Sequence, residues 1–398
     1  MIEIFLALTA GLVAGTITGL IPGVHVNLIA LMLFASSAFF LQYTTPLVLV
    51  VFVVSMAITH TFLDFIPSCF LGAPDADTAL SILPGHHLLL KGRGYEAVRL
   101  TLIGSFAALL LIIVIAPLFV LFLPKIYPFF KQYMAFILIA ASLFLILKER
   151  KSKIWAFILF MLAGCLGIAS LNMPLLKQPL FPLLTGLFGA SLLVVSITRN
   201  VRLPEQKITS VEIKKKEVSK ALGASLIASP LVSFLPGLGP GQAAVIGSEI
   251  SGRLSRKGFL VLLGAINTLV MGLSFVALYA IGKPRTGAAV VTSKLLEMFT
   301  IKHLLLLLVV ALVAGSIAVF LTIAFAKIFA KNIAKINYKR ICMGILTFLT
   351  LMTIFLSGWL GLLVLIVATA VGLVACLKGI RRMHLMGCLL LPVIFWFL

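Results

Sequence analysis

Apolar residues fill most of the chain in long runs that alternate with short polar stretches. Many runs reach about 18 residues, the length that an α-helix needs to cross ~30 Å of hydrocarbon. None shows the period-2 alternation of a barrel strand, and only helices or closed barrels satisfy their backbone in lipid. The pattern therefore predicts an all-α polytopic membrane protein. The predicted segments are 3–20, 24–41, 46–66, 94–123, 126–147, 154–172, 179–197, 218–235, 241–254, 258–281, 302–330, 338–357, 358–376 and 385–398.

The longest hydrophilic stretch divides these runs into two groups. We predict a first transmembrane repeat over residues 1–198, a basic cytoplasmic linker over 199–217 and a second transmembrane repeat over 218–398. The first segment has no basic residues before its apolar run, so we expect a retained membrane helix rather than a cleaved signal peptide.

Two pairs of similar motifs indicate an internal duplication. AGTITGLIPGVHVN (14–27) and ASPLVSFLPGLGPGQ (228–242) both place Pro-Gly at the end of an apolar run. LGAPDADTA (71–79) and IGKPRTGAA (281–289) follow them in the same order. Two matches in one order at similar spacing are typical of a repeat.

Basic residues between the runs predict how the two repeats are oriented. Cytoplasmic loops carry an excess of Lys and Arg, which places the linker inside. Counting crossings from the linker puts the other main basic clusters inside as well and gives each repeat an odd number of crossings. The repeats are therefore predicted to be inverted, with broken or re-entrant helices at the Pro-Gly motifs. The basic clusters are 91–99, 148–153, 253–257, 327–340 and 378–382.

Composition excludes several functional classes. The chain is 62% hydrophobic and 11% charged, which no soluble domain can sustain. Its net charge of +21 lies in short loops, as positive-inside bias requires, so we predict no nucleic-acid partner. The five cysteines form no CxxC pair, and no catalytic motif occurs. We expect no metal, no cofactor and no enzymatic activity.

The Pro-Gly motifs are the first candidates for a substrate site. Helix N-termini at such breaks direct free N–H groups and a positive dipole end towards a ligand, which suits an anion. The alternative is a simple kink or a tight turn between helices. The candidate residues at these two motifs are Pro22, Gly23, His25, Asn27, Pro236, Gly237, Gly239, Gly241 and Gln242.

The second pair of motifs supplies polar groups. Arg285 can hold a carboxylate or phosphate in a bidentate fork, or it can serve as an interfacial anchor. Asp75 and Asp77 can bind Na⁺, carry a proton, or cap a helix predicted over 76–90. The other candidate substrate-binding residues here are Gly72, Pro74, Thr78, Gly282 and Thr286.

Ionisable residues near the end of an apolar run suggest ion coupling. His60 and Asp64 stand four residues apart and so share a helix face. They form either a proton-coupling pair or a mutually satisfied pair near the interface. His86 and His87 follow Pro84–Gly85, which predicts an interfacial turn.

The motifs resemble the membrane permease subunit of the tripartite tricarboxylate transporters, the TctA-like family. The resemblance is carried by the first helix ending in IPG, by FLGAPDADTALSILPGHHLLLKGRGYEAV (70–98) and by FLPGLGPG (234–241). It implies a carrier of anionic carboxylates that uses an ion gradient and works with an extracytoplasmic binding protein and a small membrane subunit. It also implies that Pro22–Gly23, Pro236–Gly237 and the stretch 72–78 line the substrate site.

Three functional hypotheses follow. The leading one is a secondary transporter in the cell membrane that carries a di- or tricarboxylate with Na⁺ or H⁺. The alternative is a polyprenyl-phosphate translocase of the same inverted-repeat architecture, which would need a groove open to lipid. A membrane-embedded enzyme would need converging catalytic groups, for which His60 and Asp64 are the nearest candidates.

Overall fold

The computed structural model describes residues 2–21, 26–71, 82–149, 151–198, 203–234, 240–252, 254–335 and 337–398. This part of the chain consists of helices and their connections, and no strand occurs in it. The helices before the linker are α1 (Ile2–Leu20), α2 (Val26–Ala35), α3 (Ser37–Phe40), α4 (Pro46–Leu63), α5 (Phe65–Phe70), α6 (Ile82–Leu89), α7 (Gly94–Gln132), α8 (Met134–Leu147), α9 (Lys153–Leu171), α10 (Leu180–Leu184), a π-helix (Thr185–Ala190) and α11 (Ser191–Thr198). The later ones are α12 (Lys215–Phe234), α13 (Pro240–Ile250), α14 (Arg256–Ile281), α15 (Gly287–Leu295), α16 (Ile301–Asn332), α17 (Tyr338–Lys378) and α18 (Gly387–Phe397).

Among the described residues, eight helices are long and apolar enough to cross a membrane. This confirms the prediction of an all-α, multi-pass membrane protein. The longest helix, α17, has 41 residues and is ~60 Å long, about twice the thickness of the hydrocarbon layer. Its backbone leaves the helical region at Gly358 (φ 69°, ψ −165°), so α17 consists of two helices of membrane-spanning length.

Two local predictions were wrong, and both concern proline. No break occurs between residues 123 and 126, because α7 continues through Pro124 to Gln132. Proline is tolerated inside membrane helices where neighbouring groups satisfy the freed carbonyl. His86 and His87 lie within α6 rather than in a turn. Pro84 falls in the first turn of α6, where a missing N–H removes no intrahelical hydrogen bond.

Small residues let α1 pack closely on α4. A Cβ atom at Gly11 would lie 2.7 Å from Cβ of Ser55, and one at Gly19 would lie 2.9 Å from Cβ of Leu63. Such close backbone approach is usual between membrane helices. The contacts follow the same order along both helices, so α1 and α4 run in the same direction. Between the end of α1 and the start of α4, the chain therefore returns to the end of the molecule at which α1 begins.

The second half repeats this arrangement with α12 and α14. The hydroxyl of Ser255, just before α14, donates to the carboxylate of Glu217 in the first turn of α12. Beyond the other end of α14, Arg285 contacts the backbone oxygen of Val232 near the end of α12. These two helices therefore also run in the same direction. Between them α13 folds back along α12, with Gly247 against Ala224 and Ala228.

The long helix α7 of the first half packs along α14 of the second half. A Cβ atom at Gly104 would run into the backbone oxygen of Val261, and one at Gly272 into the side chain of Ile112. The order of these contacts shows that α7 and α14 are parallel.

In the reciprocal arrangement, α4 and α5 pack along α16. A Cβ atom at Gly315 would lie 3.4 Å from Cγ2 of Ile58, and the rings of Phe70 and Phe329 are 5.9 Å apart between centroids. The order of these contacts makes this pair parallel too. The long helix of each half therefore packs against the central helix of the other half: α7 against α14, and α16 against α4.

The central helices α4 and α14 run in opposite directions. A Cβ atom at Gly94, where α7 begins, would lie 3.0 Å from the ring of Phe70, the last residue of α5. The start of α14 lies at the same end, since Lys257 Nζ is 2.8 Å from Glu96 Oε1. The end of the α4–α5 rod is therefore next to the beginning of α14.

Helices α8 to α11, together with α17 and α18, form an outer bundle that also mixes the two halves. Gly167 of α9 faces the backbone of Cys388 in α18, and Gly372 of α17 lies against the backbone oxygen of Leu187 in the π-helix. The guanidinium of Arg382 donates to that same oxygen at 2.8 Å. The Arg382 side chain thereby supplies a hydrogen-bond donor to a carbonyl in an irregular stretch of helix.

The linker is docked at the end where α7 and α14 begin. Gln206 accepts a hydrogen bond from Gly94 N at 2.8 Å and donates to Leu89 O at 3.0 Å. Lys257 Nζ donates to the backbone oxygen of Glu212 at 2.6 Å. The described part of the linker is therefore held against both halves of the protein.

Other basic clusters meet at this end as well. Lys148 Nζ lies 3.9 Å from Glu249 Oε2 at the end of α13, and Arg381 Nε lies 3.0 Å from Glu149 Oε2. Clusters 91–99, 148–153 and 378–382 thus share one end of the molecule with the linker, as a common cytoplasmic side would require. That assignment of the side stays a prediction.

Candidate functional site

The end of α1 is tied to the polar end of α4. Nδ1 of His60 lies 3.1 Å from Oγ1 of Thr18, and both side chains are buried. Thr18 stands four residues before Pro22. The contact therefore connects the helix that leads into the first Pro-Gly motif with the segment that carries the predicted coupling residues.

In the second half, Arg285 contacts the residue that corresponds to Thr18. Its Nη2 lies 3.5 Å from the backbone oxygen of Val232, which stands four residues before Pro236. Arg285 itself belongs to the other chain break of the second half, between α14 and α15. The end of α12, which leads into the second Pro-Gly motif, is thus in contact with the connection between α14 and α15. The contact is made by Arg285, a side chain predicted to bind an anion.

A buried hydroxyl holds the chain break that carries Arg285. Oγ of Ser274 accepts hydrogen bonds from the backbone N–H of Arg285 at 3.1 Å and of Thr286 at 2.9 Å. Thr286 Oγ1 caps α15 by accepting from Ala289 N at 3.3 Å. Gly282 ends α14 in the left-handed region (φ 64°), which glycine adopts without strain. One serine therefore accepts two N–H groups that the interrupted helix cannot pair.

Asp64 stands at the position of the first half that corresponds to Ser274. Asp64 precedes Gly72 by eight residues, and Ser274 precedes Gly282 by eight. The Asp64 side chain lies at the junction of α4 and α5 and is 4% exposed. Nδ2 of Asn267, in the middle of α14, donates to Asp64 Oδ2 at 2.9 Å. A carboxyl group inside a membrane helix is costly to bury, which keeps Asp64 a candidate functional residue.

The short helices α2 and α15 come from different halves and pack side by side. Val26 of α2 and Ala288 of α15 belong to one buried apolar cluster. In the last turns of these helices, Lys294 Nζ lies 5.1 Å from the ring centroid of Phe34. Because the last turns are together, the two N-terminal ends point in the same direction. The positive ends of both helix dipoles therefore favour an anion on the same side.

The structure describes only some of the residues predicted from sequence. Arg285 and Thr286 contact Ser274, Gly282 ends α14, and His60 and Asp64 reach towards different helices. Asn27 lies in the first turn of α2, and Gly241 and Gln242 lie in the first turn of α13. The predicted residues outside the described part are Pro22, Gly23, His25, Gly72, Pro74, Asp75, Asp77, Thr78, Pro236, Gly237 and Gly239.

Sequence reasoning missed Ser274 and Asn267. Both are polar residues in the apolar run of α14, and that interruption was the available signal. The spacing of Ser274 from Gly282, equal to that of Asp64 from Gly72, was a second signal. The contact at Val232 had no such signal, because every residue has a backbone oxygen and the sequence does not show which one is used.

Polar groups gathered at broken helices inside a multi-pass helical bundle define the class of membrane transporters. Residues 5–387 match the model of the family described as "Tripartite tricarboxylate transporter TctA family". The chain belongs to this family, which confirms the resemblance read from its motifs, and it is a membrane-embedded component of a transporter.

A curated relative extends the match over nearly the full length. The chain is 31% identical over 407 residues to the uncharacterized protein MJ1079 of Methanocaldococcus jannaschii, with 99% of this chain and 98% of that protein covered. No solved structure matches the chain.

Proposed function

We propose that this protein is a permease for an anionic organic substrate, a di- or tricarboxylate, coupled to Na⁺ or H⁺. The observation that carries the proposal is the placement of Arg285, whose guanidinium joins the α14–α15 break to the end of α12. A guanidinium fork matches the geometry of a carboxylate. The parallel N-terminal ends of α2 and α15 add favourable dipoles without adding fixed charge.

The proposed site extends over both pairs of chain breaks. The Pro-Gly residues at 22–23 and 236–237 and the stretch 72–78 belong to it in this proposal. His25 and Gly239 belong to it as well, and its described members are Asn27, Gly241, Gln242, Gly282, Arg285 and Thr286. Asp64 is the proposed coupling residue, together with His60, because a buried carboxylate can exchange a proton or bind Na⁺. The proposed partners are an extracytoplasmic binding protein and a small membrane subunit.

The site is proposed to lie between two inverted repeats, 1–198 and 218–398. Three features of the packing support this. The pairs α1–α4 and α12–α14 are each parallel, the long helices α7 and α16 are exchanged between halves, and the central helices α4 and α14 run in opposite directions. A two-fold axis in the membrane plane would relate helices in this way.

A thermal-shift screen with purified protein tests the substrate class, because a ligand stabilises the state that it binds by about 2.7 kcal/mol at 100 times its Kd. We expect a rise in unfolding temperature with citrate or another di- or tricarboxylate. Proteoliposomes should then take up the labelled carboxylate under an imposed Na⁺ or pH gradient. Stabilisation by a polyprenyl phosphate and by none of the carboxylates would contradict the proposal in favour of a lipid-phosphate translocase.

A further inference from the structure

The contact between Asp64 and Asn267 joins the two halves of the protein at their centre. Asp64 lies where the α4–α5 rod of the first half is interrupted, and Asn267 lies in the twelfth position of the 26-residue helix α14. Each residue is 4% exposed, and the amide nitrogen is 2.9 Å from the carboxylate oxygen. The distance is that of a good N–H···O hydrogen bond.

Asn267 precedes Gly282 by 15 residues, and the residue that precedes Gly72 by 15 is the apolar Ala57. In the second half the corresponding acceptor, Ser274, receives backbone N–H groups from its own repeat. In the first half the acceptor is ionisable, and a side chain of the opposite repeat donates to it. The hydrogen bond therefore depends both on the ionisation of Asp64 and on the relative position of α4 and α14.

We infer that Asn267 is the positioning residue for cation coupling: its amide donates a hydrogen bond to the Asp64 carboxyl group and links this ionisable group to the central helix of the opposite repeat. The inference rests on the proposed function for its role in transport. Binding of H⁺ or Na⁺ at Asp64 neutralises the acceptor and weakens its bond to Asn267. Occupancy by the coupling cation thereby changes the strength of a contact between the halves.

Other ionisable groups lie on the same and on neighbouring helices and have to be separated from this pair in a test. Asp75 and Asp77 lie outside the described residues. The described titratable and charged groups on Asp64's own helices and on the elements packed against them are Glu3, His60, Cys69, His86, His87, Tyr95, Glu96, Arg99, Lys125, Tyr127, Arg256, Lys257, Tyr279, Lys294, Lys302, His303, Lys327 and Lys331.

Infrared titration of the purified protein in lipid measures Asp64 directly. The carboxyl band that disappears in Asp64→Asn is the band of Asp64, whatever the other groups do. Asn267→Ala removes a hydrogen bond whose strength depends on the ionisation of Asp64, so it should move the midpoint of this band by about one to two pH units. Na⁺ added at constant pH should compete with the protonated band in the wild-type protein if Na⁺ is the coupling cation, and leave it unchanged if the cation is H⁺.

Two further variants separate positioning from packing. Asn267→Leu removes the donor but keeps the number and branching of the side-chain heavy atoms, so it should shift the midpoint as Asn267→Ala does even if the smaller alanine impairs folding. Thr268→Val is the matched control, because Thr268 is the next residue of α14, is fully buried, and its hydroxyl has no hydrogen-bond partner among the described residues. Its midpoint should equal that of the wild type.

An unchanged midpoint in both donor-free variants would overturn the inference, as would a wild-type Asp64 band that does not titrate. The measurement needs no substrate. A chain that failed to carry carboxylates would refute the proposed function and leave this result standing, so the two failures can be told apart.

Discussion

Nη2 of Arg285 lies 3.5 Å from the backbone oxygen of Val232, so an arginine in one chain break of the second half rests on the helix that leads into the other. The carbonyl groups near a helix end carry partial negative charge and accept such a donor readily. An anion that binds at this junction replaces a neutral acceptor with a charged one. In the proposed site, the guanidinium is therefore already in position when the substrate is absent.

Replacement of Arg285 should weaken substrate binding more than it weakens the fold. Loss of a hydrogen-bonded charge costs about 1.5–3 kcal/mol, which corresponds to roughly 10- to 100-fold in apparent Kd. We expect Arg285→Gln to show this loss, and Arg285→Lys to be impaired as well because an ammonium group lacks the planar fork. The carboxylate concentration that gives half of the maximal thermal shift measures the effect.

Lys283 provides a matched control for Arg285. It stands two residues earlier in the same connection and its side chain is exposed. Lys283→Gln removes the same charge from the same segment and should leave the half-maximal concentration unchanged. Equal losses in the two variants would show that general electrostatics, rather than a defined contact of Arg285, attracts the anion.

Ser274 should act on substrate affinity through the backbone that it holds. In Ser274→Ala the N–H groups of Arg285 and Thr286 lose their acceptor, at a cost of about 1–3 kcal/mol for each group that stays buried. We expect a lower unfolding temperature and about a tenfold weaker carboxylate response, while Ser274→Thr, which keeps the hydroxyl, should restore most of both.

The control for Ser274 is Ser293→Ala in α15. Ser293 donates only to the carbonyl of Val290 one turn earlier, so its removal breaks no contact between elements. If Ser274→Ala bound the carboxylate as tightly as Ser293→Ala, the hydroxyl of Ser274 would have no part in shaping the site.

The length of the apolar runs was enough to predict the membrane helices, because the thickness of the bilayer sets that length. The boundary predicted between segments 338–357 and 358–376 coincides with Gly358, whose left-handed backbone (φ 69°) interrupts α17. The continuity of α7 through Pro124 could not be predicted in the same way. It depends on neighbouring groups that satisfy a freed carbonyl, and those come from the tertiary structure.

The candidate site was predictable where a residue type limits the chemistry. Arg285 and Asp64 stood out because charge inside an apolar context is costly. The partners of these residues were not predictable, because the pairing of α4 with α14 depends on how the halves pack. From the sequence, Asn267 is only a polar residue in an apolar run, and its contact with Asp64 is seen only in the folded structure.

The glycines between α7 and α14 should be among the least replaceable residues of the fold. A Cβ atom at Gly104 would meet the backbone oxygen of Val261, and one at Gly264 would meet that of Thr101. Backbone atoms cannot move aside as a side-chain tip can, so Gly104→Ala and Gly264→Ala should each cost about 1–3 kcal/mol or more of stability. Thermal unfolding in detergent micelles measures the loss.

Gly223 is the matched control for these substitutions. It lies inside α12, and no heavy atom of the described residues is within 4 Å of a Cβ atom built on it. Alanine is a better helix former than glycine by up to about 1 kcal/mol, so Gly223→Ala should be neutral or stabilising. If Gly104→Ala were tolerated as well as Gly223→Ala, the close packing of α7 on α14 would be wrong.

Glu149 connects the α8–α9 turn to the segment after α17. Its Oε2 lies 3.0 Å from both Arg381 Nε and His384 Nε2, and its Oε1 accepts from Lys151 N at 3.2 Å. Burial alone would raise the pKa of this carboxyl. The hydrogen bonds from Arg381, His384 and Lys151 outweigh burial and hold the pKa at about 2, below its ordinary 4.5.

The depressed pKa of Glu149 predicts how stability depends on pH. A carboxyl with a lower pKa in the folded state contributes its full stabilisation above pH 4.5 and loses it as pH falls towards about 2. Glu149→Gln should therefore lower the unfolding temperature at neutral pH, and the gap from wild type should narrow as pH is lowered below 4.5. Glu205→Gln, at an exposed carboxylate of the linker, should leave stability unchanged at every pH. A gap between Glu149→Gln and wild type that stayed constant down to about pH 3 would mean that the contact acts through shape rather than through charge.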